Sequence, residues 1–155
     1  MFFLSCPALA AEWTNWRGPE RNGVSREAGL PDDAEDVLWK KTDVGCRSTP
    51  IVMNDKVYIV SRIGEGVNEQ ERVVCMDAKT GDLIWEHRFG IFFTSIVSVR
   101  LGWTVPFGDP ETGNVYAHGT QGLLFCFDGE TGKVKWQKSL TEEFGRITGY
   151  GGRVT

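Results

Sequence analysis

The sequence predicts an all-β chain built of four-stranded units that stack as blades of a β-propeller, and three observations carry that prediction. First, the segment Cys75-Met76-Asp77-Ala78-Lys79-Thr80-Gly81-Asp82-Leu83-Ile84-Trp85 recurs 51 residues later as Cys126-Phe127-Asp128-Gly129-Glu130-Thr131-Gly132-Lys133-Val134-Lys135-Trp136, with Cys, Asp, Thr, Gly and Trp coincident. Second, each copy closes a set of four short, β-rich runs, and none of these runs has helical periodicity. Third, a unit of that size cannot bury a core alone, so neighbouring units must stack face to face.

The runs are expected at 49–53, 56–60, 73–76 and 83–87 in the first unit, and at 103–107, 114–118, 123–127 and 134–138 in the second. Val57-Tyr58 matches Val115-Tyr116 at an offset of 58, so the first unit carries seven extra residues. Gly64, Gly66 and Asn68 place that insertion in a loop near Ser61 to Arg72. Between the last two strands, Asp accepts backbone N–H bonds, Thr bonds locally and Gly takes positive φ, which makes a tight hairpin. In the strand that follows, Leu83 shares a face with Trp85, and Val134 with Trp136. Trp39, in Val37-Leu38-Trp39-Lys40-Lys41, matches the two later tryptophan segments and marks the outer strand of a partial preceding unit.

The expected organisation is therefore a truncated leader at 1–10, an N-terminal strap at 11–36 and a partial propeller at 37–155. Its blades lie at about 46–88 and 102–139, and an incomplete one begins at 146–155. A ring needs about 4–8 blades, so the sequence reads as the N-terminal piece of a longer protein. The leader ends Ala8-Leu9-Ala10, a small-x-small cleavage pattern, though no basic residue precedes Arg17. Export to the periplasm or medium follows, while Cys6 fits a lipidation signal poorly. The most apolar remaining stretch, 91–101, is too short for the ~20 residues of a membrane span.

Composition closes off other classes. With 17 basic against 21 acidic residues the formal charge is −4, so the chain lacks the basic field nucleic-acid binding needs. The cysteines at 6, 46, 75 and 126 leave three once the leader is removed, and at most one disulfide. No Cys/His spacing suits zinc.

Asp128-x-x-Thr131-Gly132-Lys133-x-x-Trp136 resembles the tryptophan-docking motif of the quinoprotein, or PQQ-type, propellers. The first copy departs from it at Asp82, where the family has Lys, and both copies have Cys where Ala is commonest. Trp16-Arg17-Gly18-Pro19-x-Arg21-x-Gly23-Val24-Ser25, with Leu38-Trp39-Lys40 and Ser48-Thr49-Pro50, is similar to secreted bacterial PQQ-like repeat proteins of planctomycete type. The resemblance implies either of two chemistries. Enzymes of the family hold the quinone in the axial funnel, stacked on a tryptophan, with Ca²⁺ on Glu/Asn oxygens, an Asp base and a pair of adjacent cysteines. No Cys-Cys pair occurs here. Non-enzymatic members, among them outer-membrane assembly factors and sensor domains, keep the blades and lose the site.

Individual residues add little chemistry. Asp109-Pro110-Glu111-Thr112-Gly113-Asn114 gathers oxygens but lacks the spaced ligands of a calcium loop, so it reads as a turn. His118 has no motif-linked nucleophile, and His87 reads as a solvated or edge residue. Gly64-x-Gly66 and Gly149-x-Gly151-Gly152 lack the strand–glycine–helix setting of a phosphate site. Trp16 and Arg17 read as part of a strap on the outside of the propeller. Trp103, at the start of an inner strand, is the best candidate for a stacking residue, against core packing as the plainer role. No catalytic, cofactor-binding or metal residue is assigned, and PQQ and calcium enter by resemblance only. The expected function is an extracytoplasmic binding or scaffold module that meets a protein or small ligand at the propeller face. A PQQ- and calcium-dependent alcohol-type dehydrogenase with its site in missing blades is the alternative, and a sensor domain is a third.

Overall fold

The described residues fold as two antiparallel four-stranded sheets in sequence order. The computed structural model describes residues 12–28, 37–45, 47–91 and 101–145. The leader at 1–10, Cys6, Cys46, most of the apolar stretch at 91–101 and the unit expected from 146 lie outside the described residues. The first sheet runs β1 (Ile51–Met53), β2 (Lys56–Ile63), β3 (Gln70–Asp77), β4 (Leu83–Gly90). The second runs β5 (Phe107–Asp109), β6 (Asn114–His118), β7 (Leu123–Asp128), β8 (Val134–Ser139). All-β architecture in repeated four-stranded units is what the sequence predicts.

The repeated hairpin forms as its residues dictate. Asp77 Oδ1 accepts from the Lys79 and Thr80 amides, each at 2.8 Å, and Asp128 Oδ1 accepts from Thr131 N at 3.0 Å and Thr131 Oγ1 at 2.9 Å. Those bonds hold both carboxyls below the usual carboxylate range. Gly81 and Gly132 take φ of 73° and 71°. Both hairpins carry a bulge at the same place, so Cys75 faces Trp85 while Met76 faces Leu83, and Cys126 faces Trp136 while Phe127 faces Val134. The bulge changes the expected alternation. Val134 packs on the core, but Leu83 stays 56% exposed.

The core lies between the sheets. Ile51, Met53, Tyr58, Val60, Val73, Cys75 and Phe89 of the first sheet meet Val115, Ala117, Phe125 and Phe127 of the second, and Trp85 packs against them. A fully buried side chain of this kind contributes roughly 1.5–3 kcal/mol. The opposite face of the first sheet, Val74 and Met76 with Val57 and Ile59, is covered by Trp39 and Val44. Arg72 ties that covering segment down, donating to Asp43 O at 2.6 Å and to Glu86 at 2.9 Å.

Four expectations are corrected. The insertion at 61–72 is mostly strand: β2 and β3 pair through Ser61↔Arg72, Arg62↔Glu71 and Ile63↔Gln70, leaving a short 3-10 turn at Gly66–Asn68. The extra residues lengthen a hairpin because Ser61, Glu71 and Arg72 are buried and find partners there. Trp103 precedes the inner strand instead of starting it, since β5 begins at Phe107. His87 is half-buried against the core, with its ring 5.2 Å from those of Phe125 and Phe127, because β4 continues to Gly90 and turns Trp85, His87 and Phe89 to one face. The strap lies on the first-strand edge instead of the outside: Trp13 exchanges two backbone bonds of 2.9 Å with Val52, and the Thr14 carbonyl accepts from Gly108 N at 2.7 Å. Backbone groups on those edges need partners, and the strap supplies them.

After β8 a helix, α1 (Leu140–Phe144), is capped by Ser139, whose side chain accepts from Glu142 N. The Ser139-x-x-Glu142 spacing is a capping-box signal.

Candidate functional site

The two ends of the sheets differ in chemistry. One end carries the tight turns at Asn54-Asp55, Asp109 to Asn114 and the two Thr-Gly hairpins. At the other, where the chain crosses from the first sheet to the second, the β2–β3 hairpin meets the segments around Gly102 and Thr120. Glu71, 1% exposed, is the only buried carboxylate among the described residues. Its oxygens accept from Gly102 N at 2.9 Å, Thr120 N at 2.8 Å and Thr120 Oγ1 at 2.5 Å. A carboxylate holding three donors from the next unit works as a clamp between units.

Thr104 and His118 stand beside it at the same end. Thr104 Oγ1 donates to the His118 carbonyl at 2.5 Å. His118 Nδ1 is buried without a hydrogen-bond partner, and burial pushes the ring below its ordinary value despite the nearby Glu71 charge. His87 is lowered by burial alone. Trp103, the predicted stacking residue, is half-buried and carries the exposed Arg47 guanidinium 5.0 Å from its ring centroid. The Arg47–Trp103 pair is an aromatic and cationic contact of this end among the described residues, and sequence reasoning missed Arg47 because the two lie 56 positions apart.

At the turn end, Asp109 commits its oxygens to its own turn, accepting from Thr112 Oγ1 at 2.6 Å and Glu111 N at 3.1 Å. Trp16 is 61% exposed, with the Arg17 guanidinium 5.7 Å from its ring, and Arg17 donates to Asn22 O. Cys75 and Cys126 are unbridged and buried; burial pushes the Cys75 thiol up to about 12, so it stays protonated.

On the two faces of the first sheet the tryptophan contacts repeat unit by unit. Trp39 Nε1 donates to Ala78 O at 2.9 Å, and Trp85 Nε1 donates to the matching Gly129 O at 2.8 Å. Each indole lies flat enough on its glycine that a Cβ would come within 2.6 Å at Gly81 and 2.5 Å at Gly132. Tyr58 adds its hydroxyl to the same Gly129 carbonyl at 3.3 Å.

A family model described as outer membrane protein assembly factor BamB, of the PQQ-type repeat class, matches residues 69–155, more than half of the chain. The chain belongs to this family. PQQ-type repeats form β-propellers, and the two sheets are partial blades of one. No curated protein matches the chain.

The residues present do not fit the quinone and calcium ion that the enzymes of the wider class hold. Trp103 is covered on one side by Arg47, the matching backbone positions of β1 and β5 are bonded to the strap, and Asp109 is spent on its turn. No group of three or more His, Cys, Asp or Glu side chains stands together among the described residues. In the same residues no helix is long and apolar enough to cross a membrane.

Proposed function

We propose that the protein is an extracytoplasmic β-propeller module that binds or scaffolds a partner and carries no catalytic group in these residues. The observation that carries this reading is Glu71: the one buried carboxylate of the described residues is bonded to three donors of the second unit, which makes it a clamp between units. Binding falls to the crossing end, where Arg47 and Trp103 present a guanidinium on an indole. The description of the matched family as an outer membrane assembly factor supports a place in the cell envelope, and Ala8-Leu9-Ala10 supports export. The unit boundaries belong to the same proposal: blades at about 46–88 and 102–139, with Trp39 and Trp85 as docking residues that fasten each unit to the next.

The rival is a quinoprotein oxidoreductase. Titrating the protein with PQQ and Ca²⁺, and assaying alcohol-dependent reduction of an artificial dye, separates the two. The binding-module reading expects no saturable change in tryptophan fluorescence and no dye reduction. Saturable binding accompanied by dye reduction would overturn it.

A further inference from the structure

The strap occupies a notch with the geometry of a peptide site. Val52 and Gly108 are matching positions of successive units, since Val52 pairs with Val57 and Gly108 with Val115. The free edges of β1 and β5 converge there because residue 108 is glycine. A Cβ at that position would lie 3.0 Å from Met53 Sδ and 3.2 Å from Ile51 Cδ1. Two consecutive strap residues address both edges: Trp13 exchanges both backbone bonds with Val52, and Thr14 C=O accepts from Gly108 N. In an extended chain, successive residues offer their backbone groups to opposite sides, so one strand placed between the two edges satisfies both.

Recognition in the notch is mostly by backbone, with a small buried side chain at Thr14 and the Glu12 carboxylate accepting from Asn54 N at 3.2 Å. The strap belongs to neither four-stranded ladder. On its C-terminal side it continues into a turn at 15–21 and an exposed run at 21–28.

We propose that the notch between β1 and β5 is a docking site for an extended polypeptide segment, filled in cis by Glu12, Trp13 and Thr14, and that a partner's extended segment enters by exchanging with them. This is strand addition at a sheet edge, in which main-chain bonds supply affinity and alternate side chains supply selectivity. The notch is a second binding surface, separate from Arg47 and Trp103, and the proposal rests on the binding-module reading for the claim that the protein binds a partner.

The test uses the full chain, a Trp13→Pro variant that removes the N–H donated to Val52, and a labelled peptide of the sequence from Glu12 to Gly18. In the unaltered chain the Val52 and Gly108 amides should exchange with solvent at least tenfold faster than the Val74 amide, through local opening. The variant should bind the peptide at least tenfold more tightly than the unaltered chain does, and the peptide should restore protection at Val52 and Gly108. Exchange at those two amides as slow as at Val74 would overturn the proposal, as would peptide binding that is equal in the two chains or absent from a folded variant. Should the variant fail to fold, the exchange rates of the unaltered chain decide. A protein that took the peptide in this way and also reduced dye with PQQ would keep the docking site and lose the non-catalytic reading.

Discussion

At the scale of single residues, Trp85 and Trp136 share a sequence position and differ in surroundings. Trp85 meets Tyr58 and Phe127 at ring distances of 5.9 and 5.6 Å and donates to Gly129, whereas Trp136 is 40% exposed and meets Tyr116 at 6.0 Å. Deleting a buried aromatic costs about 3–5 kcal/mol, the lost transfer energy being joined by a cavity. Trp85→Ala should therefore lower stability by that order in chemical denaturation of the 155-residue chain, and Trp136→Ala by less than about 1 kcal/mol, as surface changes do. Equal losses would show that the sheets do not pack through Trp85. Glu71 makes a second case. Glu71→Ala leaves the Gly102 and Thr120 amides buried without acceptors, at about 1–3 kcal/mol each. Glu71→Gln keeps one acceptor oxygen and should fall between Glu71→Ala and the unaltered chain. An alanine variant as stable as the unaltered chain would remove the clamp.

At the scale of elements, β4 shows both what the sequence discloses and where it stops. The Thr-Gly turn, the strand after it and the tryptophan are legible because local chemistry dictates them. The bulge at Ile84 is not, since nothing in Leu83-Ile84-Trp85 distinguishes two residues opposing one from strict alternation. His87 reads as a solvated or edge residue when the strand is taken to stop there; the alternation Trp85-x-His87-x-Phe89 is the signal that it continues. The loop expected at 61–72 failed for a related reason. Glu71 and Arg72 look solvent-loving in isolation, and only the second unit's amides and Glu86 make their burial tolerable. The helix α1 is legible only in its Ser139-x-x-Glu142 cap, since five residues are too few to show helical periodicity. Burial of His87 in β4 has a consequence for pH. Its folded value lies below the ordinary 6.5, so the unfolded chain binds the proton more readily. Stability is then full above about 6.5 and falls as pH drops through that value toward the folded one. His118 is lowered in the same direction by its own burial. Denaturation midpoints should fall between pH 7 and pH 5, and His87→Phe should flatten that slope. An unchanged slope in the variant would assign the effect to other groups.

At the scale of the whole molecule, the outward face of the second sheet repeats the inward face of the first. Tyr116 stands where Tyr58 does, Cys126 where Cys75 does and Trp136 where Trp85 does, yet among the described residues only the first set is covered by a neighbouring sheet. Phe107, Tyr116 and Trp136 form a row with successive ring distances of 6.0 Å, and Phe107 and Trp136 are each 40% exposed. A contiguous aromatic surface of this kind drives association in water. Two modes are open in principle, and the structure discriminates between them. Head-to-tail stacking would bring Trp136 of one copy onto Gly81 of the next, but that glycine is already covered by Trp39, whose Nε1 holds Ala78 O. Face-to-face pairing of two aromatic rows needs no displacement and closes on itself, as two-fold contacts do. The 155-residue chain should therefore form dimers and not filaments. Sedimentation velocity across a hundredfold concentration range should show a monomer–dimer boundary, and Phe107→Lys with Trp136→Lys should hold the chain monomeric. Open-ended growth with concentration would mean that Trp39 yields its place to Trp136. A monomer at every concentration would mean that the row does not drive association.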